Sequence, residues 1–149
     1  MQPSSAVPNT QLNPIRKWAW GYAILFLGVV SLGYIPAFID DHGALFGLFH
    51  IELKDDILHL ASAVWAALAA MASTRASIFY FRLFGVVYAL DGICGLLFGN
   101  GYLDFGIFQF GPVALDWATK IGANTPHILI GGIAVFLGFV ASRWYAHQA

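Results

Sequence analysis

The chain alternates between long apolar runs and short polar segments. The apolar runs cover about residues 19–39, 57–72, 78–97 and 127–141. Because an α-helix rises about 1.5 Å per residue, about 20 apolar residues cross the hydrocarbon core of a bilayer. The pattern therefore predicts an all-α membrane protein with four transmembrane helices in one bundle. It places them in a single domain, residues 19–149, behind a flexible polar tail over residues 1–18.

Composition narrows the class of protein further. Hydrophobic residues make up 59% of the 149 positions and charged residues only 10%, whereas a soluble domain has about 25% charged residues. The formal net charge is −1, without the clustered Lys and Arg that nucleic-acid binding requires. The lipid bilayer is the predicted partner, and nucleic acid is excluded.

Basic residues near the ends of the runs predict the orientation of the bundle. Two of them, Lys54 and Lys120, fall on one side of the predicted membrane. The other five fall on the opposite side: Arg16, Lys17, Arg75, Arg82 and Arg143. Since cytoplasmic loops carry the excess of Lys and Arg, both termini are expected in the cytoplasm.

The two halves of the chain share short motifs in the same order. Three pairs recur at separations of 57, 59 and 68 residues: Phe26–Val30 with Leu83–Val87, Phe46–Phe49 with Phe105–Phe108, and Asp56–His59 with Asn124–His127. The first and third helices run in the same direction, so the halves are expected to be parallel two-helix repeats about an axis along the membrane normal. The repeat places His59 and His127 at equal depth.

These motifs support a family resemblance. The Asp/Asn-x-x-His-Leu/Ile opening of the second and fourth runs, preceded by Phe-Gly-Leu/Ile-Phe, resembles a family of small four-pass bacterial membrane proteins that carries a domain-of-unknown-function label. The resemblance covers about residues 19–142. It implies a multi-pass protein of the bacterial inner (cytoplasmic) membrane and brings no activity with it.

His59 and His127 have a structural interpretation. Asp55–Asp56 would cap the second helix, with His59 forming a hydrogen bond nearby. Asn124–Thr125 would cap the fourth helix, with Pro126 in its first turn. In this interpretation the two imidazoles brace the bundle at the membrane interface.

The same pair of imidazoles also has a functional interpretation. At equal depth across a pseudo-twofold axis, His59 and His127 can act as the axial ligands of a haem or as two ligands of a metal. His50 and Glu52, together with Asp55 and Asp56, are the further donors that a metal site would recruit. The cofactor itself is not identified by the sequence.

Asp91 is the one carboxylate placed well inside an apolar run. A charge in hydrocarbon costs roughly 2.5–3.5 kcal/mol even on the lenient insertion scale, so Asp91 is expected to face the bundle interior. His59 or His127 is its expected partner, and Tyr88 lies one turn earlier. Asp91 fits a polar lock between helices, a proton-relay group, or an anchor for a quinone-like ligand.

Two classes of function follow from the sequence. The first is a non-catalytic structural or accessory subunit that works with a membrane-protein partner or as a homo-oligomer. The second is a protein that binds haem, a metal or a quinone-like molecule between His59 and His127. No catalytic motif is found, and solvation of an outer loop explains the acidic cluster of Glu52, Asp55 and Asp56.

Overall fold

The computed structural model describes residues 12–47 and 52–145. Its helices are α1 (Pro14–Leu32), α2 (Leu53–Ala72), α3 (Thr74–Phe98), α4 (Gly106–Phe110), α5 (Trp117–Phe136) and α6 (Ser142–Tyr145), the last two joined by a π-helical turn over Leu137–Ala141. Four helical segments are long and apolar enough to cross a membrane, counting Trp117–Tyr145 as one. The described residues form no β-strand beyond one isolated bridge between Ile39 and Leu45. The predicted all-α, four-helix class is confirmed.

Local signals set the ends of α1. The helix begins at Pro14, ahead of the predicted residue 19, because the Asn13 side chain accepts a hydrogen bond from the Ile15 amide at 3.0 Å and proline suits the first helical position. It ends at Leu32 rather than residue 39. Pro36 disfavours a helical residue before it, and Ile35 is accordingly extended at φ −98° and ψ 109°.

The fourth spanning segment begins ten residues earlier than predicted. The Asp116 side chain caps α5 by accepting the Thr119 amide at 3.0 Å, so Pro126 lies inside the helix and not in its first turn. The predicted cap at Asn124–Thr125 is therefore wrong. Asn124 and Thr125 instead donate to carbonyls one turn back, at 2.9 and 2.6 Å. Such side-chain bonds help a helix tolerate an internal proline.

Two arginines define how the helices pair. Arg16, at the start of α1, donates through Nε to the Ala70 carbonyl near the end of α2 at 2.7 Å. Arg82, early in α3, donates through Nε to the Gly138 carbonyl of the π-helical turn at 2.8 Å. Both pairs of helices are thus antiparallel, and α1 runs parallel to α3. The two carbonyls are 68 residues apart, the same separation as His59 and His127.

The positions that are buried in α2 and in the last spanning segment support the repeat. They also show which residues of the two segments correspond. Four buried positions of α2 recur as buried positions 68 residues later: Ala63, Ala66, Ala69 and Ala70 match Gly131, Ala134, Leu137 and Gly138. This is the separation between the two histidine motifs. The histidine motif therefore gave the correct alignment for these two helices.

For α1 and α3, the separation between corresponding residues of the repeat differs from the one that the sequence suggested. Five buried positions of α1 recur 62 residues later: Ile15, Ala19, Tyr22, Ala23 and Phe26 match Ser77, Phe81, Phe84, Gly85 and Tyr88. The predicted separation of 57 is wrong. Gly28 has open space where a Cβ would stand, whereas a Cβ at Gly85 would lie 2.6 Å from the Val135 amide nitrogen. The Gly-Val-Val motifs of α1 and α3 therefore lie on different faces of their helices.

The two outer-loop motifs that lie 59 residues apart share a backbone feature. Phe46 and Phe105 both adopt the left-handed backbone region, at φ 54° and 65°, and they are the non-glycine residues that do so in the described part of the chain. This conformation is uncommon for a bulky side chain. The two loops therefore share a left-handed residue at corresponding positions.

Aromatic side chains fill the centre of the bundle. Tyr22 meets the rings of Phe26, Phe81 and Phe84 edge to face at centroid distances of 5.1–6.2 Å. Large apolar side chains also cover the outside of the helices, with Ile24 68% and Phe79 60% exposed. Lipid accommodates this outer surface, because in a bilayer it does not need to be removed from water.

Candidate functional site

A cavity of about 410 Å³ opens at the end of the bundle opposite Arg16 and Arg82. All four spanning segments and both loops at that end contribute to its walls. Its volume falls within the range of about 300–1,000 Å³ that is typical of small-ligand sites. The side chains on which the chemistry depends are Phe26, Asp55, His59, Tyr88, Asp91, Asp104, Asn124 and His127.

The Asp91 carboxylate joins three parts of the chain at this cavity. It is only 3% exposed. Its Oδ2 lies 2.8 Å from His127 Nδ1 of α5, and its Oδ1 accepts the backbone amides of Tyr102 and Leu103 at 2.7 and 2.8 Å. Two backbone bonds and one imidazole compensate the burial of the carboxylate. His127, not His59, is therefore the partner of Asp91.

Two glycines allow this close approach. A Cβ at Gly101 would lie 2.6 Å from Asp91 Oδ1, and a Cβ at Gly92 would lie 2.8 Å from the Cβ of His127. Neither position has room for a side chain. The glycines of the α3–α5 contact and of the outer loop thus determine how near His127 stands to Asp91.

Tyr88 links the two histidines. Its ring stacks on that of His127 with centroids 4.5 Å apart and planes at 26°. Its hydroxyl lies 3.3 Å from His59 Nε2. Although Tyr88 lies one turn before Asp91, its hydroxyl contacts His59 and forms no hydrogen bond with Asp91 in the described structure.

His59 has the same ring arrangement as His127 in the other half of the repeat. Phe26, which corresponds to Tyr88, stacks on the His59 ring at 5.8 Å and 23°. The repeat differs at the carboxylate, because the position that corresponds to Asp91 is Val29. His59 Nδ1 is buried and has no hydrogen-bond partner among the described residues. The cavity therefore contains one imidazole held by a carboxylate and one that is not.

Of the two acidic side chains in the first turn of α2, Asp55 lines the cavity, and Asp56 does not. Asp56 Oδ2 accepts the Tyr34 hydroxyl at 2.7 Å, while its Oδ1 is buried without a partner in the described structure. Donation to this negative carboxylate raises the pKa of the Tyr34 hydroxyl above its ordinary value. Asp55 accepts the Glu52 amide at 2.9 Å. Asp56 thus connects the end of α1 to α2.

Asn124 occupies the position that corresponds to Asp56. Its side chain is buried and donates to the Lys120 carbonyl at 2.9 Å. It packs directly on Gly95 of α3, where any Cβ would overlap the amide. Asn124 therefore helps to set the α3–α5 spacing beside the cavity, although it caps no helix.

The additional metal donors expected from the sequence are not brought together in the described structure. His50 lies outside the described residues. Glu52 is exposed and lies 3.5 Å from Lys54. Within residues 12–47 and 52–145, no group of three or more His, Cys, Asp or Glu side chains converges in a way that could hold a metal ion.

Sequence reasoning did not identify Phe26 and Asp104 as cavity residues. Phe26 could have been found from the 62-residue spacing to Tyr88, had the repeat been aligned on buried faces. Asp104 accepts the Gly106 amide at 2.9 Å. It lines the cavity only because the loop after α3 folds back over Asp91, and no local pattern indicates that fold.

These helices and their lipid-facing surface define a small multi-pass membrane protein. A comparison with protein families matches residues 16–140 to DUF4383, a domain of unknown function. The chain belongs to that family, as the repeated histidine motif suggested. No curated protein and no solved structure matches the chain.

Proposed function

We propose that the protein binds the ring-shaped head group of a small amphipathic molecule of the quinone and quinol class in the cavity between His59 and His127. The observation that carries the proposal is the arrangement of the two imidazoles. Both line one cavity of about 410 Å³, beside the stacking rings of Phe26 and Tyr88. A planar head group needs flat apolar walls and a few directed polar groups.

The hydrogen bond between His127 and Asp91 supports a ligand that donates hydrogen bonds. When Nδ1 carries the proton that it donates to Asp91, Nε2 is left as an acceptor. The carboxylates of Asp55 and Asp104 add further acceptors on the cavity wall. The two hydroxyl groups of a quinol complement such a lining better than the two carbonyl groups of a quinone do.

Haem and metal are less well supported by the same geometry. His59 Nε2 is already engaged by the Tyr88 hydroxyl at 3.3 Å and would have to release it in order to ligate iron. A haem held by both histidines would therefore require Tyr88 to move. A metal would need donors besides the two imidazoles, and metal-binding sites require convergent geometry.

A structural or accessory role is the second candidate. The observation in its favour is the Asp91 carboxylate, which ties α3 to α5 and to the loop at Tyr102–Leu103 through three hydrogen bonds. A buried polar group of this kind fixes how helices meet without any ligand. In that case the protein would act as an accessory subunit or as a homo-oligomer.

We further propose the location that the charge pattern indicates. The protein would lie in the cytoplasmic membrane of a bacterium with both termini in the cytoplasm and the cavity at the outer face. A polar leader would precede a single four-span domain. The five-to-two division of Lys and Arg between the two sides supports this orientation.

The test is binding of a tail-less substituted benzoquinol to the purified protein in lipid nanodiscs. We expect saturable binding that weakens at least about tenfold, or about 1.4 kcal/mol, in His127→Ala and in His59→Ala. His42→Ala is the matched control, since His42 is exposed in a loop and does not line the cavity. Unchanged affinity in both cavity variants would contradict the proposal.

Spectra and metal analysis of the same preparation separate the alternatives. A Soret band that is lost in the His59→Ala, His127→Ala double variant would establish haem. A stoichiometric metal that depends on the same residues would establish a metal site. A colourless, metal-free and well-folded protein that binds no quinol would favour the accessory role.

A further inference from the structure

A second cavity, of about 330 Å³, lies between α2 and α3. This cavity is a groove with almost entirely apolar walls. Ala61, Trp65, Leu83 and Val87 are among the residues that line it. Two hydroxyl groups reach it, and both already have partners. Ser62 donates to the Leu58 carbonyl at 2.8 Å, and the Tyr88 hydroxyl is bonded to His59. The groove therefore suits hydrocarbon.

The groove adjoins the cavity that contains the histidines. Leu58, Tyr88 and Leu103 line both. From Leu58 the groove follows α2 to Trp65, seven residues or about 10 Å toward the middle of the bundle. A molecule whose ring lies against Tyr88 and His127 would thus find an apolar channel at the edge of its own site.

The packing of the helices explains why this gap exists. Ser73 alone connects α2 to α3, and Ser77 of α3 donates to the Ala69 carbonyl of α2 at 3.1 Å near that connection. Farther along, α2 packs mainly on α1 and α3 mainly on α5. The two helices therefore have few contacts with each other, which leaves room for the groove between them, and Leu83, at 45% exposure, lies at its edge.

We propose that this groove, which we call the tail groove, holds the hydrocarbon tail of the molecule whose head group occupies the histidine cavity. This inference rests on the proposed function and specifies its ligand class: a quinol with a long apolar tail that enters from the bilayer between α2 and α3. Because the tail is already in lipid, van der Waals contacts with the groove walls, rather than removal from water, would add affinity. A water-soluble ligand without a tail would not use it.

The experiment compares two quinols that share one head group, one without a tail and one with a ten-carbon tail, in nanodiscs and with correction for partition into lipid. We expect the tail to strengthen binding at least about tenfold in the natural protein. Ala61→Phe fills the groove and should abolish this gain while leaving the tail-less affinity unchanged. Val64→Phe, on the exposed face of α2 and outside the groove, should keep the gain.

A photoreactive diazirine at the tail end gives an independent measurement on the unmodified chain. We expect cross-links within residues 61–65 of α2 or 83–87 of α3. Cross-links confined to α1 or α5 would overturn the tail groove. So would a gain in affinity from the tail that is as large in Ala61→Phe as in the natural protein. Neither result would contradict the head-group site. If the tail-less quinol did not bind the natural protein at all, the proposed function would fail first, and this inference with it.

Discussion

At the scale of single residues, Asp91 shows how far sequence reasoning reaches. A carboxylate inside an apolar run had to face the interior, since lipid cannot solvate it. The sequence offered His59 and His127 as equal partners. The structure pairs Asp91 with His127 at 2.8 Å, and the choice depends on the rotation of α3, which no local pattern encodes.

Removing the Asp91 carboxylate should be costly. Asp91→Leu leaves one imidazole and two backbone amides without their acceptor, and each buried donor left unpaired costs about 1–3 kcal/mol. Unfolding of the purified protein in a mixed detergent series would measure the loss. Asp91→Asn keeps an acceptor oxygen and should cost less.

Two other carboxylates serve as controls for Asp91. Asp41→Leu changes an exposed loop residue and should alter stability by no more than about 0.5 kcal/mol. Asp104→Ala loses the single bond from Gly106 and should lie between the two. Equal stability of Asp91→Leu and Asp104→Ala would argue against a polar lock at Asp91.

At the scale of elements, composition predicted four helices, and local capping decided where each one begins. Asn13 and Asp116 both extend a helix beyond the apolar run that revealed it. Those caps were visible in the sequence as short polar residues. For α5 the hydropathy pattern favours Pro126 over Asp116 as the start of the helix, because the first turns of α5 lie outside the apolar run.

Substitutions at two adjacent glycines of α5 would test which face of α5 packs on α3. A Cβ at Gly131 would collide with the backbone of Ala89, whereas Gly132 has nothing within 4 Å. Gly131→Val should therefore destabilise the bundle by about 1–3 kcal/mol through overpacking. Gly132→Val should be tolerated. Thermal unfolding of both variants in nanodiscs measures the difference, and equal losses would mean that the rotation of α5 is not as described.

The cap of α5 should depend on pH. Hydrogen bonds from the Thr119 hydroxyl and amide hold the pKa of Asp116 below its ordinary value of 3.8. A lowered carboxyl pKa means that the cap stabilises the helix above that ordinary value and is lost as the pH falls through the folded-state pKa.

Hydrogen exchange at the first turn of α5 would measure this loss. Protection, corrected for intrinsic rates, should fall as the pH drops below about 3.8 in the natural chain. Asp116→Asn keeps an acceptor oxygen without a titrating group, so its protection should be flat across the same range. A pH dependence that persisted in Asp116→Asn would assign the effect to another group.

At the scale of the whole molecule, the internal repeat organises both the fold and the cavity. Phe26 stacks on His59 as Tyr88 stacks on His127, yet Val29 stands where the second half has Asp91. The pseudo-symmetry therefore places two similar imidazoles around one cavity, and its break makes them chemically different.

The orientation of the bundle in the membrane can be tested directly. In a Cys94→Ala background, His42→Cys and Phe110→Cys should react with a membrane-impermeant thiol reagent applied to intact cells, because both loops are expected outside. Arg75→Cys should react only after the cells are permeabilised. The reverse pattern would invert the bundle and place the histidine cavity at the cytoplasmic face.

The amino-acid sequence alone predicts the number of helices, the membrane environment, the existence of a repeat and the pairing of the two histidine motifs. These features follow from composition and from short sequence motifs, because a bilayer stabilises any apolar helix of sufficient length whatever its neighbours are. The 62-residue register of α1 and α3, the choice of His127 by Asp91, and the groove between α2 and α3 become visible only in the folded bundle. Each of these depends on which helix faces approach closely, and that is set by contacts such as Gly85 on Val135 between residues far apart in the chain.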